Sequence, residues 1–170
     1  MRERLRWVGV LAGALVALAC PAAVAVESDP LEVPKGTPRG QAIVAYNEGV
    51  KLVLEKRYAA AQAKFEEALA RFEGLAEAHN NLAFSLRMQG EHNFDRALRH
   101  YNRALELNPD LAVAYMYRGM LFTQLGDLKR ASADHARLLR LDRNLAAKLE
   151  AVIVGRVMGE GNEGLAAQYE

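Results

Sequence analysis

A small residue recurs along the chain at nearly constant intervals, and this repetition constrains the fold more than any other feature. Gly49, Ala83 and Gly119 are separated by 34 and 36 residues. Each is followed by a second small residue: Ala61, Ala97 and Ala131. Phe65 and Tyr101 come one helical turn later in the first two copies, then Ala68 and Ala104. Self-similarity at such a period marks an array of supersecondary units, none of which buries its apolar face alone. The units are residues 42–75, 76–111 and 112–145, closing on Leu75, Leu111 and Leu145. The two extra residues of the second interval fall at Glu91-His92-Asn93, a turn, where added length costs least.

The spacing predicts two antiparallel helices per unit. Gly49, Ala83 and Gly119 are small where the second helix of the same unit crosses, and Ala61, Ala97 and Ala131 are its matching small residues. Gly90 and Gly126 free the backbone between helices, and Asn108-Pro109 stops the second helix of the middle unit. This pattern resembles the tetratricopeptide repeat, and AEAHNNLAFSLRMQGEHNFDRALRHYNRALELNPDLA (76–112) is similar to it almost throughout. The third copy departs from it at His135, Leu138 and Arg143. The first departs at Lys56 and Glu73, losing the turn glycine and the proline. The resemblance covers residues 42–145. It implies an all-α fold, a right-handed superhelical solenoid of three helix hairpins with a C-terminal capping helix. Leu145, Leu149, Val152 and Ile153 recur at helical spacing and place that cap at 144–158. Gly159, Gly161 and Gly164 are expected to end regular structure, leaving 159–170 as a flexible tail.

Ahead of the repeats, Arg2, Arg4 and Arg6 precede an uncharged run from Trp7 to Val26 that ends in Ala23-Val24-Ala25. A positive start, an apolar middle and a small-x-small site make residues 1–25 a signal peptide with cleavage after Ala25. The short arginine-rich start suits a bacterial, exported chain, placed in the periplasm. Two alternatives stand beside it: an uncleaved span anchoring the N-terminus, and a lipoprotein acylated at Cys20. Membrane association is expected only in those two cases. Residues 26–37, with Pro30, Pro34 and Gly36, read as a linker, and Thr37-Pro38 as a helix start.

Composition narrows the chemistry. Among 170 residues, 22 Lys and Arg face 21 Asp and Glu, which excludes a strongly basic nucleic-acid footprint. Removal of residues 1–25 leaves a net charge of −1 and no cysteine, since the single Cys is Cys20. His79, His92, His100 and His135 show no metal-ligand spacing, and no phosphate-binding glycine loop occurs. No metal, cofactor or catalytic residue is therefore expected, and the chain reads as non-enzymatic. Residues 126–156 carry seven basic and four acidic residues, an excess read as a solvated face or a contact for an acidic partner or anionic lipid headgroups.

The resemblance implies a concave groove lined by the first helices. The helical period selects Tyr46, Asn47 and Val50 from the first unit. From the second it selects Asn80, Asn81, Phe84 and Arg87, and from the third Met116, Tyr117 and Met120. Large apolar groups left over by the repeat's own packing mark an interaction site or a surface covered by the chain itself. The asparagines offer a donor and an acceptor to the backbone of a bound segment, and the methionines offer adaptable packing. Of the positions by which some members clamp a C-terminal carboxylate, only Asn81 matches; Tyr46, Val50, Val113 and Tyr117 hold the others. The expected function is a scaffold that binds a peptide or protein segment in the cell envelope. The alternatives are a self-associating homo-oligomer and an accessory subunit of an envelope enzyme.

Overall fold

The computed structural model describes residues 30–32, 34 and 36–166, with side chains through Gly159. The predicted signal peptide at residues 1–25, with Cys20, and Ala167–Glu170 lie outside the described residues. Seven α-helices follow one another, with no strand among the described residues: α1 (Pro38–Leu54), α2 (Tyr58–Arg71), α3 (Ala76–Met88), α4 (Phe94–Leu107), α5 (Ala112–Gln124), α6 (Leu128–Leu141) and α7 (Arg143–Ala166). Helices α1 and α2, α3 and α4, and α5 and α6 pack as hairpins, and α7 lies against both helices of the last one. The result is the all-α solenoid expected from the repetition.

Local sequence accounts for the helices. Thr37 caps α1 by accepting a hydrogen bond from the Gly40 N–H at 2.9 Å, with Pro38 in the first turn. Asp127 does the same for α6 through the Arg130 N–H. Helix α2 is rich in alanine, a strong helix former, and buries Ala61, Phe65 and Ala68 along one stripe. The second helix of every hairpin ends on an extended residue: Phe72, Asn108 and Asp142. Only the middle one is followed by proline, so the stop belongs to the packing as much as to that residue.

The small residues act as expected in the first hairpin. A Cβ on Gly49 would sit 2.6 Å from the Phe65 ring, so α1 and α2 meet there only because the side chain is missing. The third hairpin differs. A Cβ on Gly119 would first meet Leu149 of α7, at 2.5 Å, and Asp134 of α6 only at 3.4 Å. His135, which stands where the aromatic ring belongs, is half-buried and does not fill the hollow. The capping helix fills it instead, with Leu145, Ala146 and Leu149 buried.

Two boundaries differ from the sequence reading. The turn residues Glu91–Asn93 form a short 3-10 helix, and α7 continues through Gly159, Gly161 and Gly164 to Ala166. A glycine costs a helix about 1 kcal/mol without ending it, and no proline follows to do so. The tail predicted from residue 159 is thus helical as far as Ala166.

Candidate protein-binding face

Helices α1, α3 and α5 stand side by side and carry the predicted groove residues. Most of these are buried. Tyr46, Val50, Asn80, Asn81, Phe84, Arg87, Met116, Tyr117 and Met120 are all at most 6% exposed, and Asn47 is half-buried. The open apolar stripe expected along these helices is therefore packed. Aromatic contacts show how: across the repeats Phe84 lies 5.0 Å from Tyr117 and 6.1 Å from Tyr58 between ring centroids, and within the first repeat Tyr46 lies 5.8 Å from Phe65. Large rings at these positions reach the neighbouring repeat, where smaller side chains would leave a channel.

The polar members form a chain of bonds. Asn80 Nδ2 donates to Asn81 Oδ1 at 3.0 Å, and Asn81 Nδ2 donates to the Tyr46 hydroxyl at 3.1 Å. Arg87 Nε donates to Gln124 Oε1 at 2.6 Å, tying α3 to α5. Among the described residues no carboxylate pairs with this buried cation. Tyr101 of α4 lies beside it; burial raises the pKa of its hydroxyl, while the Arg87 charge opposes the rise.

Asn47 does what its residue type suggested, on the chain's own backbone. Its Oδ1 accepts the Leu31 N–H and its Nδ2 donates to the Leu31 carbonyl, both at 2.9 Å. The Leu31 side chain packs, half-buried, against the core. The sequence marked this segment as a linker; its only signal was one leucine between two prolines.

Sequence spacing also missed a histidine pair. His79 Nδ1 and His100 Nδ1 are 3.0 Å apart, and His79 Nε2 lies 3.1 Å from the Glu73 carbonyl. A carbonyl only accepts, so in the neutral pair Nε2 of His79 donates to it, and His100 Nδ1 donates to the free Nδ1 of His79. Burial first, then the neighbouring His79, Arg96 and Arg99, push His100 down to about 4. His79 is also lowered, chiefly by burial. The two come from helices of one hairpin and are 21 residues apart, too far for any short motif to join.

The basic excess of the last repeat is partly neutralised in place. Arg130 pairs with Asp127 and Arg137 with Asp110. An open depression of about 760 Å³ lies nearby, lined by Asp95, Leu98, Leu125 and residues 126–130. None of the predicted groove residues lines it. No group of three or more metal-ligating side chains occurs among the described residues.

With this geometry in place, the likenesses to known proteins fall into line. Residues 76–111 match the family model of the tetratricopeptide repeat. Residues 76–111 thus form a tetratricopeptide repeat within the helical solenoid. Tetratricopeptide repeat protein 36 of Xenopus tropicalis is 34% identical over 103 residues, which cover 58% of this chain and 50% of that protein. The chain thus spans about half the length of this curated relative. Solved structures share the fold. The first tetratricopeptide domain of human RPAP3 superposes with a TM-score of 0.65 at 23% identity, covering 73% of this chain and 98% of that one. The Hsp90 co-chaperone Cns1 of Saccharomyces cerevisiae gives 0.67 at 20% identity, over 79% of this chain and 45% of that one. The first tetratricopeptide domain of Spaghetti (RPAP3), bound to the HSP90 peptide SRMEEVD, gives 0.62 at 23% identity, over 70% of this chain and 95% of that one. At these identities the solved structures establish the tetratricopeptide fold alone.

Proposed function

We propose that this chain is a non-enzymatic scaffold that holds an extended segment of a protein partner along the α1, α3 and α5 face. The observation that carries the reading is the Asn47–Leu31 pairing, in which a groove asparagine engages both polar groups of one backbone residue. Related solved domains, one of them holding an HSP90 peptide, support protein binding as the kind of work. The resemblance does not support a clamp for a free C-terminal carboxylate, because Tyr46, Val50, Val113 and Tyr117 stand at positions where such members carry cations and amides. Phe84, Met116, Tyr117 and Met120 are buried in the free chain, so a partner's apolar anchors reach them only where the face opens around the half-buried Asn47. We place this work in the bacterial cell envelope, on the strength of the signal peptide at residues 1–25.

Selection of binders from a random peptide library against the full chain, followed by amide-shift mapping, tests the site. Shifts clustered on α1, α3 and α5, with loss of binding on Asn47→Ala, are the expected result. A library binder that maps to α2, α4 and α6 instead, unaffected by Asn47→Ala, sinks the groove assignment.

A further inference from the structure

Asn47 and Asn81 lie 34 residues apart, in the same register of successive first helices. Asn81 has a helix before it, and bonds the Tyr46 hydroxyl on that helix. Asn47 has none. Its amide turns to the backbone of Leu31 and satisfies both the N–H and the carbonyl at 2.9 Å. Such a contact ignores side-chain identity, as β-type recognition of a peptide does; selectivity comes from the anchor, here a half-buried leucine. A turn at Gly36, with φ 76°, and the Thr37 cap lie between this segment and α1.

We propose that residues 30–32 are an intramolecular ligand, seated in a peptide site at the first-repeat end of the binding face and regulating access to it. This rests on the groove reading. A partner enters by exchange: its own extended backbone and leucine-like anchor replace Leu31 on Asn47. The segment is tethered to α1 by only a few residues, which holds it at an effective concentration in the millimolar range. A short free segment of equal intrinsic affinity therefore fails to displace it at micromolar concentration. A true partner succeeds by reaching further along α3 and α5.

The test uses a fluorescein-labelled synthetic peptide of residues 26–37 and three full-length chains: the parent, Leu31→Asp, and Leu31→Asp with Asn47→Ala. Anisotropy is followed into the millimolar range, with the Asn47 side-chain amide resonance as a second readout. Leu31→Asp is expected to bind the peptide at least about tenfold more tightly than the parent, as release of a tethered competitor requires. The double variant is expected to lose the gain. Equal binding by the parent and Leu31→Asp, or binding by neither, overturns the proposal. So does unfolding of Leu31→Asp by circular dichroism, because a displaceable segment is not required for the fold. A failure of this kind leaves library binders on α3 and α5 untouched, so it is distinct from failure of the groove reading.

Discussion

Lys56 shows how a single departure from the repeat is absorbed. It sits at φ 58°, in the left-handed region, at the same turn position where the third repeat has Gly126 at 76°. In both turns the residue's N–H bonds the carbonyl three back, and the next N–H reaches five back: Lys56 to Val53 and Arg57 to Leu52, Gly126 to Thr123 and Asp127 to Phe122. This is a Schellman closure, in which glycine carries no Cβ penalty and lysine does. Lys56→Gly is expected to stabilise the chain by about 1 kcal/mol, read as a raised urea midpoint at unchanged slope. A lowered midpoint would mean that the lysine makes up the strain elsewhere. The sequence showed that a glycine was missing there; it did not show that the turn would keep its geometry without one.

Between elements, two polar seams hold the hairpins in register. Arg118 of α5 meets Asp134 of α6 through Nε at 3.0 Å and Nη2 at 2.6 Å, and reaches Asn102 of α4 through Nη1 at 2.8 Å. Burial raises the Asp134 pKa, and Arg118 works against that rise. Arg118→Met would strand a buried carboxylate and is expected to cost about 3 kcal/mol in chemical denaturation. A loss within the scatter of surface substitutions would show that solvent reaches Asp134. The histidine seam between α3 and α4 is expected to respond to pH. Both folded-state pKa values lie below the ordinary 6.5, so the unfolded chain takes up these protons first. The pair's contribution is whole above about pH 6.5 and is lost as the pH falls toward about 4, the value to which His100 is pushed. Urea midpoints at pH 7.5 and pH 5 are expected to differ more in the parent than in His100→Gln; equal differences would refute the coupling. Neither seam was visible in sequence, because partners 16 and 21 residues apart meet only once the hairpins close.

At the scale of the molecule, the repeat count, the hairpin order and the cap were legible because each depends on periodicity, which survives in one dimension. The state of the face was not. Whether Tyr46, Phe84 and Tyr117 line an opening or fill it depends on how closely neighbouring hairpins approach, and a list of residues on one side of a helix does not contain that distance. The far end of α7 exposes Val154, Val157 and Met158, at 47%, 50% and 67%. Self-association, where it occurs, is expected to use this end, since Leu31 already engages Asn47 on the first repeat. Sedimentation of the full chain at rising concentration checks this: any rise in mass is expected to vanish in Val157→Glu with Met158→Glu. A rise that persists in that variant points to another surface.

Leu149 in the hollow at Gly119 also sets an order of events. In the first hairpin the ring that meets Gly49, Phe65, belongs to the hairpin itself. The third must wait for a side chain that is translated 30 residues after the glycine it covers. The last repeat and the cap are therefore born as one unit, and the solenoid grows by hairpins until its final step, which takes three helices at once.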